Sequence, residues 1–352
     1  MKRILVALTF LLSLTVGAQK TTKKPAKPPD FMLVIHGGAG TILKKNMTPE
    51  LEAAYQRGLQ SALQAGYAVL ERGGSALDAV EATVRVLEDD SLFNAGRGAV
   101  FTNEGRNELD AAIMDGATLK AGSVASVTTI RNPVTAARAV MEKTEHVMLI
   151  GPGAEKFAQQ QGLDIVDPSY FYTARAWRAL QRAKALDSAQ AQQKEGAVTP
   201  KQEALLRQPG NRDYKYGTVG AVALDKAGNL AAATSTGGMT NKKFGRVGDA
   251  PIIGAGTFAS NATCAISCTG WGEFFIRLSV ARSVSDLMEY KGWSVQKAAD
   301  ELIQKKVPAL GGDGGLIALD KNGNFTMSFN TPGMYRGYIG PDGKGVVKIY
   351  KD

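Results

Sequence analysis

The chain has 352 residues, 44% of them apolar and 21% charged, with 40 glycines, the balance of a folded globular protein rich in tight turns. Its formal charge is +9, but Lys2, Arg3, Lys20, Lys23, Lys24 and Lys27 supply six of those charges and leave the rest of the chain at +3. That balance argues against a nucleic-acid partner, which needs a basic stripe with interleaved aromatics, and two cysteines and two histidines offer no zinc cluster.

The first segment, "MKRILVALTFLLSLTVGAQK", sets Lys2-Arg3 before an apolar run from Ile4 to Val16 and ends in small residues. It reads as a secretory signal, residues 1–18, cut before Gln19. The run is shorter than the roughly 20 apolar residues of a membrane span. The protein is therefore expected to be exported, periplasmic or secreted, with no membrane attachment after signal removal. Residues 19–30, "QKTTKKPAKPPD", read as a disordered Lys/Pro-rich leader.

The ordered chain begins with "FMLVIHGGAG", an apolar strand and a Gly-rich turn. Two helices are expected next, "TPELEAAYQRGLQSALQAGYAVLERGG" and "SALDAVEATVRVLEDD", the second with Ser75 at its N-cap and Asp78 at its third residue. "LFNAGRGAVFTNEGRNELDAAIMDG" reads as a loop followed by short strands. "AGSVASVTTI" is a strand, "NPVTAARAVME" a helix and "HVMLIG" a further strand. From about Gly162 the chain turns Gln-, Ala- and Lys-rich, which suggests a helix fading into a flexible connector over about residues 185–217.

Strand-rich sequence follows Thr218. "ALDKAGNLAAATST" from Ala223 is echoed by "ALDKNGNFTMSFNT" from Ala318, and each fits a hairpin with a Lys-x-Gly-Asn turn. Strands at both ends with helices in blocks between them argue for stacked sheets covered by helices, not a parallel βαβ sheet. Cys264 and Cys268 fall on one face of a strand about 13 Å apart, too far for a disulfide, and are expected as buried thiols. No nucleotide-binding glycine motif is present.

A hydrolase needs a nucleophile and a base. His146 opens an apolar strand and reads as structural. His36, within "HGGAG", either fixes the turn or acts directly. A threonine needs no histidine if its own α-amino group is the base, which requires the chain to be cut just before it. Gly217-Thr218 fits: the glycine tolerates a strained backbone and the connector frees the new end.

The stretches "HGGAG", "LFNAGRGAVFT", "ELDAAIMDG", "GTVGAVALD", "TSTGGMTNKKFGRVGDAPIIGAGTFA", "ISCTGWGEFFIR" and "LGGDGGLIALDKNGNF" through "FNTPGMYRG" run in order from Leu33 to Arg336. Together they resemble the plant-type asparaginase/isoaspartyl peptidase family of N-terminal nucleophile hydrolases. The resemblance implies an α+β, four-layer αββα sandwich over residues 31–352. It also implies self-cleavage into an α chain, 31–217, and a β chain, 218–352. Thr218 would be the nucleophile, with Thr236 hydrogen-bonding beside it. Arg246 would hold the substrate α-carboxylate and Asp249 its α-ammonium. Thr269 and Gly270 would form the oxyanion hole, Gly272 would lie along the substrate, and Asn94 would stand close by. No cofactor is implied for catalysis. The carbonyls of Leu87, Glu88, Asp90, Phe93, Ala95 and Arg97 would wrap a structural Na⁺. An (αβ)₂ assembly is implied as well.

The activity so implied is hydrolysis of β-aspartyl (isoaspartyl) dipeptides and L-asparagine through a β-aspartyl ester on Thr218. Glycosylasparaginase, acting on the GlcNAc–Asn bond, is the alternative within the superfamily. A non-catalytic amino-acid-binding protein is the alternative outside it. Trp271 departs from the pattern, standing between the oxyanion-motif glycines where relatives often carry something smaller.

Overall fold

The computed structural model describes residues 29–194, 199, 202 and 217–351. The expected signal, most of the leader and the connector between residues 194 and 217, residues 199 and 202 excepted, lie outside the described residues.

Strand β1 (Met32–Gly40) leads to helices α1 (Pro49–Glu71) and α2 (Ala76–Asp89). Both helices start on hydroxyl caps. Thr48 Oγ1 accepts from Leu51 N at 3.2 Å, and Ser75 Oγ accepts from Asp78 N at 3.1 Å, which satisfies N–H groups the first helical turn leaves open. Then come β2 (Leu109–Asp115), β3 (Ala121–Val127), α3 (Pro133–Lys143), β4 (Met148–Ile150), α4 (Gly151–Gln160) and α5 (Ala174–Lys194). The last of these stays helical to Lys194, past the point where the composition suggests a connector.

After Thr218 come β5 (Val219–Leu224), β6 (Leu230–Thr236), β7 (Thr257–Ala259) and β8 (Cys264–Gly270). Helices α6 (Gly272–Leu278), α7 (Val280–Lys291) and α8 (Val295–Asp300) follow, then β9 (Gly314–Asp320), β10 (Phe325–Phe329), β11 (Gly333–Ile339) and β12 (Val346–Tyr350). Both echoed stretches are hairpins, β5–β6 and β9–β10. One aspartate closes each turn. Asp225 Oδ1 accepts from Ala227 N and Asn229 N, and Asp320 Oδ1 accepts from Asn322 N and Asn324 N.

The strands form an eight-stranded sheet, β12-β11-β1-β5-β6-β2-β3-β4, and a four-stranded sheet, β10-β9-β8-β7. Pairing within the two sheets is antiparallel except for β3–β4, which α3 connects as a crossover. The strand expected at "HVMLIG" is present as β4, and His146 is exposed just before it. β4 is a three-residue edge strand with Met148 and Ile150 exposed, because only one of its sides has a neighbour.

Helices α1 to α4 cover the outer face of the large sheet, α7 and α8 cover the small sheet, and the two sheets face each other. This is the αββα sandwich. Strand alternation assigns the faces. Leu33, Ile35, Ala221, Ala223, Ala231 and Ala233 pack toward the helices, whereas Val34, Val222, Leu224 and Ala232 pack between the sheets. Even-numbered positions of β1, β5 and β6 thus face the inter-sheet layer, and His36, Thr234 and Thr236 share that parity. Cys264 and Cys268 are free and buried there, and burial raises both thiol pKa values.

Candidate active site

Thr218 stands at the mouth of β5 and is 5% exposed. Its hydroxyl donates to Thr236 Oγ1 at 3.2 Å, and Thr236 Oγ1 donates in turn to the Gly217 carbonyl at 2.9 Å. Gly238 N also donates to Thr236 Oγ1 at 2.9 Å. One proton given and two hydrogen bonds accepted fill the capacity of that hydroxyl.

Asn94 supplies a second donor to the Gly217 carbonyl, from Nδ2 at 2.8 Å. The amide cannot turn over easily, because Oδ1 accepts from Val100 N and Nδ2 also reaches Gly238 O. The carbonyl before Thr218 is therefore held by two side-chain donors, one of which also accepts from the Thr218 hydroxyl.

β1 forms the opposite wall. Its register shifts between His36 and Gly38, and Gly38, at φ +112°, lies so close that an added Cβ would sit 3.4 Å from Gly217 Cα and 3.5 Å from Thr218 N. Only glycine takes that conformation readily. His36 Nδ1 is 3.0 Å from the Thr218 carbonyl oxygen and Nε2 is 2.9 Å from Ser267 Oγ. Burial drives the His36 pKa down to about 3, with the bond to Thr218 opposing, so the ring is neutral. Nδ1–H then donates to the carbonyl and Nε2 accepts from Ser267. Ser267 continues the chain to Thr234 at 2.7 Å, and Thr257 donates to Thr234 and is 3.0 Å from the Ala250 carbonyl. Of the two roles open to His36, its contact with the Thr218 carbonyl favours positioning of the backbone.

Ala39, two residues after the bulge begins, donates its N–H to Thr269 Oγ1 at 3.3 Å. That leaves the Thr269 hydroxyl proton available to donate. β8 ends at Gly270, and Gly272 opens α6 against Arg246 and Asp249. A Cβ at Gly272 would lie 2.8 Å from Asp249 Oδ1 and 2.9 Å from Arg246 Nη2, so glycine is required for this close approach.

The cradle made by Arg246 and Asp249 is charged and largely dry. Asp249 is 4% exposed, and its Oδ2 is buried with no partner among the described residues. Burial raises its pKa to about 6, against the pull of Arg246. An unpartnered buried carboxylate oxygen is costly and suits a cationic ligand group. Arg246 is not idle either. Glu273 takes its Nε and Nη2 at 2.9 and 2.8 Å, leaving the Nη1 edge. Burial opposes ionisation of Glu273, but the Arg246 contacts and a hydrogen bond from the Trp271 side chain outweigh it and lower its pKa. Trp271 thus buttresses this ion pair, its ring edge-on to Phe274 at 5.0 Å.

Behind Thr236, Asp110 is buried at the register position paired with it. Burial raises the Asp110 pKa, while Lys242 and Arg246 act against that rise. Lys242 is buried too, donating to the Glu108 carbonyl at 3.1 Å.

Thr218, Thr236, Asn94 and Gly217 are thus in direct contact. Thr269 joins them through Ala39, and Arg246, Asp249 and Gly272 form one adjoining cluster. The segment from Leu87 to Arg97 lies on the Asn94 side. Leu87, Glu88, Phe93 and Ala95 are buried, burial raises the Glu88 carboxyl to about 8, and Arg97 lies 5.7 Å over the Tyr170 ring. Glu273, Asp110 and the Ser267–Thr234–Thr257 chain are the participants that sequence reasoning did not single out. Glu273 stood inside a quoted motif, yet nothing in its spacing shows that it closes on an arginine 27 positions away.

A family model described as "Asparaginase" matches residues 29–349. The isoaspartyl peptidase of Escherichia coli is 51% identical over 311 residues, 88% of this chain and 93% of that protein. A plant-type L-asparaginase of Pyrococcus furiosus is 44% identical over 305 residues, 86% of this chain and 94% of its own. A probable isoaspartyl peptidase/L-asparaginase of Arabidopsis thaliana is 41% identical over 327 residues, 91% and 99% respectively. On matches of this extent, the chain belongs to the asparaginase family in which the isoaspartyl peptidases and plant-type L-asparaginases are found.

Proposed function

We propose that the protein is a self-activating amidohydrolase that cleaves β-aspartyl dipeptides and L-asparagine with Thr218 as an N-terminal nucleophile. The observation that carries this reading is the Gly217 carbonyl, held by Asn94 Nδ2 and Thr236 Oγ1 beside the Thr218 hydroxyl. Thr218 Oγ attacks that carbonyl carbon and its proton passes to the departing Thr218 nitrogen. The resulting ester takes up water and leaves a Gly217 carboxylate and a free Thr218 amine. Asn94 and Thr236 stabilise the oxyanion.

The freed amine is then the base in the mature enzyme. A substrate would place its α-carboxylate on the open edge of Arg246 and its α-ammonium on Asp249 Oδ2. Thr218 Oγ attacks the side-chain carbonyl carbon, with Thr269 hydroxyl and Gly270 N–H receiving the oxyanion. The Oγ proton travels by way of the amine to the leaving nitrogen, and water cleaves the β-aspartyl ester. The names of the relatives agree with this substrate class.

Three further parts belong to the proposal. Carbonyls of Leu87, Glu88, Asp90, Phe93, Ala95 and Arg97 would hold a structural Na⁺. In support, Gly96 and Gly98 press onto the oxygens of Glu88 and Phe93, where a Cβ would collide, so oxygen donors suited to a hard cation crowd one tight loop. An (αβ)₂ assembly is supported by exposed apolar residues at edge strand β4, Val147, Met148 and Ile150. Export is supported by the N-terminal segment. A lower melting temperature after exchange of Na⁺ for choline, an (αβ)₂ mass by light scattering and a periplasmic mature form starting near Gln19 are the expected results.

The experiment for the activity is a side-by-side assay of β-Asp-Leu, L-Asn and GlcNAc-Asn. Hydrolysis of the first two, with GlcNAc-Asn slowest, is expected. Turnover of GlcNAc-Asn alone supports glycosylasparaginase instead, and binding of aspartate without turnover of any substrate supports an amino-acid-binding protein.

A further inference from the structure

A cavity of about 500 Å³ opens on the Gly217 side of the cleavage site, a size typical of small-molecule pockets. Gly217, Gly38 and Asn94 are among its lining residues, and neither Arg246, Asp249 nor Gly272 lines it. It is therefore separate from the cradle for the aspartyl α-groups.

The chemistry of the reaction fixes which part of a substrate meets this space. The leaving nitrogen takes its proton from the Thr218 amine, so it must depart beside that amine. Thr218 N is bonded to Gly217 and would lie 3.5 Å from a Cβ built on Gly38, and both glycines line the cavity. We propose that the cavity is the pocket for the leaving residue of β-aspartyl dipeptides and that it selects a bulky apolar amino acid with a free carboxylate. This inference rests on the activity proposed above.

The lining matches that ligand. Ile42, Leu43, Met47 and Leu92 supply apolar wall, and Tyr55 and Tyr335 stack at 4.2 Å to give a flat aromatic side. Arg175 also lines the cavity. Its hydrogen bonds run to the Tyr55 hydroxyl and the carbonyls of Ser91 and Leu92, all uncharged, so its positive charge is not neutralised by them. Arg182 lines the cavity as well, and a chamber with apolar walls and arginine side chains suits an amino acid's side chain and carboxylate better than a neutral sugar.

L-Asparagine is the internal control, because its leaving group is ammonia and needs no pocket. Ala179 lines the cavity from α5, and Gly40 lines it from β1 at a point where an added Cβ meets nothing within 4 Å. Ala179→Trp and Gly40→Val should each lower kcat/KM for β-Asp-Leu and β-Asp-Phe by roughly tenfold or more. Each should keep L-Asn hydrolysis within about twofold and still yield both chains. Arg175→Gln should weaken KM for β-Asp-Leu more than for its C-terminal amide. Equal losses on asparagine and dipeptides in both filling variants, or unchanged dipeptide hydrolysis in both, overturns the pocket assignment. A wild-type protein that hydrolyses neither substrate overturns the activity itself.

Discussion

Asp249 holds a buried carboxylate oxygen that no group of the described chain satisfies, and its pKa is raised by burial to about 6. Two consequences follow with opposite benefit. Binding of an α-ammonium needs the ionised form, so kcat/KM should fall about tenfold per pH unit below about pH 6. Stability runs the other way. The unfolded side chain ionises near pH 4 and the folded one near 6, so the native state holds the extra proton between them. Stability should drop as pH rises through that window and remain lower above it. Asp249→Asn should therefore lose nearly all activity yet gain on the order of 1–3 kcal/mol at pH 7, read by denaturant titration. A variant both inactive and less stable would show that Asp249 is held by contacts rather than kept for a ligand. That Asp249 stands near Arg246 with opposite charge was legible in "GRVGD". Its isolation was not, because the burial comes from α6 and β8, far along the chain. Glu273 was illegible for the same reason: an acidic residue in the first turn of a helix is common, and only tertiary structure turns it onto Arg246.

At the scale of elements, strand alternation explains much of the site. A period of two along β1, β5 and β6 sends His36, Thr234 and Thr236 into the layer between the sheets, where polar groups must pair with one another. The hairpins were readable in sequence because Asp225 and Asp320 encode their own turns through side-chain bonds to the backbone. The hydrogen-bonded chain from His36 to Thr257 was not readable, since it joins β1, β6, β7 and β8 across two sheets. The exposure of β4 was likewise not readable, because an apolar sequence does not state whether it lies at an edge. The loop carrying Asn94 and the end of β6 carrying Thr236 both donate to the Gly217 carbonyl, and Asn94 is also bonded to the backbone of Gly237 and Gly238 just after β6. If that pair is the oxyanion site of self-cleavage, Asn94→Ala and Thr236→Ala should each slow processing by roughly 10²–10³, followed as conversion of precursor over time on denaturing gels. Processing at the wild-type rate in both would exclude that role.

For the whole molecule, the sandwich places one peptide bond, Gly217–Thr218, where two sheets, the Asn94 loop and the β1 bulge converge. The same bond divides the chain into a segment that supplies Asn94 and His36 and a segment that supplies Thr218, Thr236, Arg246 and Asp249. Cleavage there would expose an amine without dismantling the fold, because β1 and β5 stay paired through backbone hydrogen bonds and a shared core. On the proposed mechanism, a chain with a neutral, buried His36 and an exposed His146 would run acyl transfer with a base made by the cut. Intact-mass measurement with N-terminal sequencing of the purified protein tests this most directly. The account predicts two chains, the smaller beginning at Thr218, and a single uncut chain for Thr218→Ala. A wild-type protein that hydrolyses β-Asp-Leu as one uncut chain would contradict it.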